Sequence, residues 1–357
     1  MGVCNILSLK VATWNIEHAY KLISDNPSNT ILDRRHRVHS TIKSMDPDIL
    51  CIQEGPKGEQ AIDDFCTSVL NREWVPVLLK ESGDALGDKN KEYKTKGNQW
   101  IWFLVRPELL NSCRLQPPSV WQSFVERDKW PVNYWGQVSV KNHSHYRHPQ
   151  VMIYKLNDDH EIELIGVHLK SKINMFTVER DAEGNLTGDY LAEATEARIK
   201  LATEARNIRR YIAAKFDQSA QPGLLVMGDC NDGPGHDYFE KQYLFFDLIS
   251  NLQGDVMMAE RFFNHALFDF SGHLRWTAKY RDEVSKPPIP ASRNPLLLDH
   301  ILMSQPLCRG KFPIVANEYA GKVEHEPYER YNAGATKNAR TSDHRPVSCE
   351  FDPTETD

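Results

Sequence analysis

The sequence predicts a mixed α/β fold whose functional groups gather where strands end. Three observations lead there. Short apolar β-like runs alternate with helical stretches along the whole chain. No low-complexity tract, internal repeat or Pro/Ser-rich linker divides it, so its 357 residues read as one domain spanning 1–357. One apolar run after another finishes in Asn, Asp, Glu or His, and α/β architectures place their sites where strands finish.

The elements follow in order. Leu9–Ile16 (LKVATWNI) reads as a strand. Ile31–Met45 reads as a helix, with Ile31, Val38, Ile42 and Met45 at roughly helical spacing. Asp46-Pro47-Asp48 ends it, and Ile49–Glu54 is the next strand. Further strands are expected at Trp100–Val105, Pro149–Leu156, Glu161–Ser171, Gly223–Asp229, Leu296–Met303 and Pro346–Phe351. Asp189–Phe216 is the strongest helix, rich in Ala, Glu, Arg and Leu, with an apolar stripe through Leu191, Ala194, Ile199, Ala202, Ile208, Tyr211 and Ile212. Its charges read as a solvated face. Lys80–Gly97, Gln116–Arg147 and Tyr243–Asn294 read as surface excursions, and excursions on that scale carry function or disorder.

Composition narrows the class. Hydrophobic content of 40% and charged content of 26% suit a soluble globular protein. No apolar run approaches the roughly 18 residues of a membrane span. The first residues lack the basic and apolar regions of a signal peptide, and Ile6 stands where a myristoylation signal beginning at Gly2 has Ser or Thr. Seven scattered cysteines, never spaced C-x-x-C, point to reduced thiols in a cytoplasm and away from disulfides or a thiolate zinc site. A net charge of −6 does not suggest a coating for nucleic acid, although a local basic groove stays open because steering depends on charge distribution.

The strand ends carry the chemistry. Asn15 follows one apolar strand and Glu54 closes another. His168, Lys170 and Ser171 end LIGVHLKS, and Asp229 and Asn231 end VMGDCN before Gly233-Pro234-Gly235 turns the chain. Asp299 sits in LLLDHI, and Asp343 and His344 in TSDHRPV. Taken singly, each has a bland reading as a turn former or a satisfied His. Six coincidences call for more. Alternate residues of an extended segment share a face, so Asp229 and Asn231 are expected to point together, with Cys230 packed behind them. His168 and Lys170 share a face by the same rule. Glu54, Asp229 and Asp343 with Asn side chains supply oxygen, which suits Mg²⁺ or Mn²⁺ better than zinc and leaves the His residues free for proton transfer.

ATWNIE, ILCIQE, GVHLKS, VMGDCN, LLDHIL and TSDHRPV occur in the order seen in the endonuclease/exonuclease/phosphatase superfamily, the deoxyribonuclease I-like proteins, which the chain resembles from Lys10 to Phe351. The resemblance implies an α+β four-layer α/β/β/α sandwich and metal-dependent hydrolysis of a phosphate ester. It implies that Glu54, Asp229 and Asp343 bind the metal and that Asn15 supports the metal–phosphate cluster. Asp229 and Asn231 would orient water and phosphate, Asp299 would orient the general base His344, and His168 would donate to a phosphate oxygen or help the leaving group. Two departures bear on substrate. The PAWTDRIL-like segment of the phosphoinositide 5-phosphatase members is replaced here by RNPLLLDHIL, and Asp232–Asn294 matches no subgroup's recognition loops. HLKS and YRHP look most like uncharacterised bacterial nuclease-like members, in which comparison Arg147, with Lys170, would contact phosphate.

Three functions compete at this point. The first is a Mg²⁺- or Mn²⁺-dependent nuclease acting on DNA. Aromatics of the excursions (Trp121, Phe124, Trp130, Tyr134, Trp135; Phe262, Phe263, Phe268, Phe270, Trp276) would stack bases, although local packing is their commoner use. The second is a phosphomonoesterase or phospholipid phosphodiesterase, which the acidic net charge keeps open. The third is a non-catalytic binding protein, against which the complete catalytic set argues. Oligomeric state is not legible.

Overall fold

The computed structural model describes residues 8–79, 92–122, 130–133, 140–172, 176–233, 239 and 247–354. The strands of its two main sheets are, in chain order, β1 (Leu9–Asn15), β2 (Ile49–Gly55), β3 (Val75–Pro76), β4 (Trp100–Val105), β5 (Cys113–Gln116) and β6 (Gln150–Lys155). They continue with β7 (Glu161–His168), β8 (Gly223–Asp229), β9 (Phe263–His265), β10 (Asp299–Ser304), β11 (Ile314–Val315), β12 (Gly321–Val323) and β13 (Val347–Pro353). The first sheet runs β11-β13-β1-β2-β4-β3, with β12 also paired to β13; the second runs β9-β10-β8-β7-β6-β5. In each sheet a parallel pair, β1 with β2 and β7 with β8, is flanked by antiparallel neighbours.

Strands buried on both faces need near-continuous apolar sequence, and β4, β8 and β10 are buried at every residue. Leu225, Met227, Ile301 and Met303 of the second sheet share one core with the first. The sheets approach so closely that a Cβ on Gly166 would meet Cys51 Sγ at 2.9 Å. Helices α1 (Asn29–Met45) and α2 (Glu59–Ser68) add Val38, Ile42, Ile62 and Phe65 to that core. The other face of the second sheet presents Val151, Ile165, Leu224 and Val226 to helices α3 (Gly188–Gln218) and α4 (Leu248–Gln253), which contribute Leu201, Ile208, Ile212, Leu248 and Leu252. Each such side chain contributes about 1.5–3 kcal/mol by leaving water. The result is the four-layer α/β/β/α sandwich. Among the described residues no helix is long and apolar enough to cross a membrane.

Local chemistry sets the element ends. Ser28 caps α1 by accepting from Ile31 N, and Asp46 closes it in the left-handed conformation with its N–H on Ile42 O. β7 stops at His168, three residues before the end expected from sequence, so the alternation that would place Lys170 beside His168 lapses. β10 begins at Asp299, whereas the expected strand began at Leu296. The stretch Tyr243–Asn294, read as an excursion, supplies β9 to the edge of the second sheet.

α3 buries two polar side chains, Glu204 and Asn207. Glu204 is buried, and its Oε2 accepts from Lys170 N at 2.8 Å. Burial pushes its carboxyl from 4.5 to about 7. The stabilising contribution of the protonated form is complete below the unfolded value and lost as pH rises through the folded one, a difference of roughly 3 kcal/mol. Glu204→Gln should therefore raise the urea midpoint at pH 8 and leave it unchanged at pH 4. Destabilisation at pH 8 would mean that the fold favours the ionised carboxylate.

Candidate active site

The parallel pairs and their antiparallel neighbours deliver polar side chains to one edge of both sheets. β1, β7 and β8 end there in Asn15, His168 and Asp229, and β2 brings Glu54 one residue before its end. β10 runs antiparallel to β8, so its first residue, Asp299, arrives where β8 finishes. In register, Asp229 lies between His168 and Asp299. The segment before β13 supplies Asp343 and His344. Gly228 lets β8 approach β7 here: its φ is +142°, and a Cβ would lie 2.0 Å from Val167 O.

Two hydrogen bonds span the sheets. Asn15 Nδ2 donates to Asp229 Oδ2 at 2.9 Å. His344 Nδ1 meets Asp299 Oδ2 at 2.7 Å, with both groups buried. His344 Nε2 then lies 4.0 Å from Asp229 Oδ2, beyond a hydrogen bond. Asp229, Asp299 and His344 form a buried group whose ligand atoms all lie within 4.8 Å of one another. His344 is held from behind: Trp14 Nε1 donates to its carbonyl at 2.9 Å, and Ser342 Oγ accepts its N–H at 3.0 Å while donating to Asn15 O at 2.6 Å.

Tyr280 carried no signal in the sequence. Its hydroxyl donates to Asp343 Oδ2 at 2.9 Å and lies 3.0 Å from His344 Nε2. A hydroxyl has one proton. With that proton on Asp343, the phenol oxygen is left to accept from His344 Nε2–H, an arrangement that favours the imidazolium. Electrostatics agree. Burial depresses His344, but Asp299 and Asp229 outweigh it and raise the imidazole to about 10. Burial moves Asp229 upward, against the pull of His344. Burial and the Asp343 carboxylate push the Tyr280 phenol far up.

The remaining predicted residues fall as follows. Glu54 has φ +58°, at an irregularity in the β2–β4 ladder, and its Oε2 accepts from His18 N at 2.9 Å. A non-glycine residue in that region costs about 1–3 kcal/mol and persists where its surroundings enforce it. His168 Nε2 is 3.5 Å from Asp229 Oδ2, and its buried Nδ1 has no partner among the described residues. Burial, Arg147 and His344 hold the ring neutral, well below its ordinary value.

Asn231 does not continue the strand. The Asp229 carboxylate accepts Asn231 N at 2.8 Å, the residue turns left-handed at φ +52°, and its Nδ2 donates to Leu169 O at 3.0 Å. Lys170 sets its ammonium on Ser171 O at 2.9 Å, in the field of Lys200, Glu193 and Glu204 of α3. Arg147 Nη2 donates to Gln99 Oε1, and burial lowers its guanidinium against Asp229, Glu54, Glu204 and Tyr146, which raise it. Cys230 is buried, as expected. Of the aromatics, Phe263 is core and Trp121 stacks on Tyr211 at 4.4 Å. Phe268 is 81% exposed. Phe124, Tyr134 and Trp135, like Pro234 and Gly235, lie outside the described residues.

Arg34 of α1 was also missed. Its buried guanidinium donates to Glu17 O and, at 2.9 Å, to Thr341 O, tying together the segments after β1 and before His344.

Fold and site together define a four-layer sandwich with a carboxylate–imidazole centre at the common edge of its sheets, the architecture that the motif resemblance implied. No family model and no curated protein matches the sequence. Among solved structures the chain is similar to truncated Caenorhabditis elegans TDP2, at 12% identity and TM-score 0.49, over 96% of this chain and 97% of that one. It is similar to an endonuclease/exonuclease/phosphatase from Bacteroides vulgatus at 14% identity and TM-score 0.43, over 97% and 99% of the two chains. The human Nocturnin catalytic domain matches at 13% identity and TM-score 0.45, over 97% and 95%. These likenesses concern the fold.

Proposed function

We propose that this chain is a divalent-metal-dependent phosphodiesterase that hydrolyses DNA, with His344 as the base that activates water. The observation that carries the reading is the buried Asp299–His344 couple, whose second imidazole nitrogen faces Asp229 across 4.0 Å. A carboxylate behind an imidazole fixes its tautomer and supports its charged form, the logic of a hydrolytic triad.

The donor set fits a hard cation. Among the described residues Asn15 Oδ1 and Asp299 Oδ1 are buried acceptors without partners, and leaving such a group unsatisfied costs about 1–3 kcal/mol. Asn15, Glu54, Asp229 and Asp343 would hold Mg²⁺ or Mn²⁺ through oxygen. When bound, the cation would offset charge on the phosphoryl oxygens and draw the His344 imidazole down toward neutral pH. The chain's own residues supply the rest. Asp299 orients the ring, and His344 Nε2 takes the proton of the attacking water. Asn231 and Arg147 flank the position of the phosphate, and neutral His168 offers a hydrogen bond.

DNA is favoured as substrate by the surface beside His344. Lys279 Nζ lies 3.9 Å and Arg345 Cζ 3.8 Å from the centre of the Trp276 ring there, a cluster of cations on an aromatic platform that suits a polyanion.

Plasmid, single-stranded DNA, RNA, abasic DNA, phosphodiester and phosphomonoester reporters and sphingomyelin, each assayed with Mg²⁺ and with Mn²⁺, test the reading. Cleavage of DNA is expected, lost on chelation with EDTA and restored by either ion. Full rate after exhaustive chelation and dialysis would refute the metal, and turnover of the phosphomonoester or of sphingomyelin alone would refute the substrate.

A further inference from the structure

The ribbon that secures Asp299 also presents Tyr280. Ala278–Lys279 pairs antiparallel with Pro295–Leu296, just before the catalytic strand. Thr277 Oγ1 accepts from Leu298 N at 3.0 Å and Asp299 N at 3.2 Å, and Thr277 O accepts from Arg345 N at 2.8 Å. One residue after the ribbon, Asn294 Nδ2 anchors Tyr280 O at 2.9 Å. The phenol is thus fixed to both Asp299 and the His344 segment through backbone. Its hydroxyl stands 3.0 Å from the imidazole nitrogen that receives the water's proton. A group there is a direct neighbour of both the water and the phosphorus it attacks.

We propose that Tyr280 is a further catalytic residue, its hydroxyl donating to the phosphoryl oxygen that gains charge as water attacks; this rests on the reading of Asp299–His344 as a hydrolytic couple. In that step the water oxygen bonds to phosphorus as the bond to the leaving oxygen breaks. The water's proton passes to His344 Nε2, and the departing alkoxide takes a proton from solvent. Tyr280 exchanges no proton. An ordinary phenol keeps its proton at neutral pH, and rotation about the Cζ–Oη bond redirects its hydrogen bond from Asp343 to the phosphoryl oxygen. A donor aimed at charge that develops only in the transition state raises kcat without tightening ground-state binding.

Tyr280→Phe removes one oxygen and keeps the ring. On a phosphodiester reporter at saturating Mg²⁺, kcat should fall about 10²-fold with KM little changed and the unfolding midpoint preserved. In the metal-free protein without substrate, the ¹⁵N resonance of His344 Nε2 should also move in the variant, since the phenol touches it. An active wild type whose Tyr280→Phe variant keeps or exceeds its kcat would overturn the role of Tyr280 alone. So would a loss carried wholly by KM. A wild type that hydrolyses no phosphodiester would instead overturn the function on which the proposal rests, and the ¹⁵N shift would still report whether the contact exists.

Discussion

His344→Ala should lower the rate of phosphodiester hydrolysis by about 10²–10⁴-fold, the range of a positioned general base. Asp299→Asn should cost somewhat less, and the double variant should be little worse than His344→Ala. The reason lies in the 2.7 Å contact between Asp299 Oδ2 and His344 Nδ1. Asp299 acts on the reaction through the ring, fixing its tautomer and stabilising its charged form, so once the ring is gone the carboxylate has nothing to orient. Residues that act as a unit give non-additive costs. His168→Ala should combine with His344→Ala differently, because His168 lies across Asp229, on another strand, without contact to the couple. Rates for the single and double variants at one saturating Mg²⁺ concentration decide the matter. Full additivity of the Asp299 and His344 effects would sink the pairing, and near-neutral effects from both would sink the catalytic assignment.

Asp229→Asn should lower hydrolysis by about 10²–10³-fold or more while the fold persists. Asp229 is 1% exposed and accepts hydrogen bonds from Asn15 Nδ2 and Asn231 N. An isosteric amide keeps one acceptor oxygen, and with it one of those bonds, but removes the charge that faces His344. That loss has a signature apart from the rate. Asp229 is one of the three carboxylates that raise His344, so in the metal-free variant the imidazole should release its proton at lower pH than in the wild type. Histidine NMR across pH reads this directly. Turnover near the wild-type level with Mg²⁺, or an unmoved His344 titration, would remove Asp229 from the centre. Asp229→Ala should be equally inactive and less stable, because it strands the Asn15 amide.

How much of this was legible depended on whether the signal was local. β4 and β8 announce themselves as apolar runs with fixed ends, and both match residue for residue. The strand-edge polar residues were readable because glycine and carboxylates interrupt apolar sequence abruptly. Asn231 was placed by an alternation valid only while the chain stays extended, and the Asp229 carboxylate ends that by capturing Asn231 N. Lys170 fails for the same reason, one strand over. Helix α2 was not anticipated: it is ten residues long, begins after a glycine at φ +90° and buries only Ile62, Phe65 and Cys66. The edge strands β3, β9, β11 and β12 are two or three residues long, too short for any period to show. Tyr280 was invisible on principle. A lone tyrosine between Lys279 and Arg281 carries no pattern, and its partners lie 63 and 64 residues away.

The centre is stitched from both sheets. Asn15 ends β1 of the first sheet and His344 lies just before β13, Asp299 and Asp229 belong to the second, and the His344–Asp299 and Asn15–Asp229 hydrogen bonds are stitches between them. Neither half therefore owns a catalytic fragment. A folding intermediate with one sheet complete and the other undocked would hold acids without their base, or the base without its acids. Its chemistry would be silent however native its helices and strands. On the proposed reading, hydrolysis is in this sense a property of the seam and depends on the docking of the two sheets.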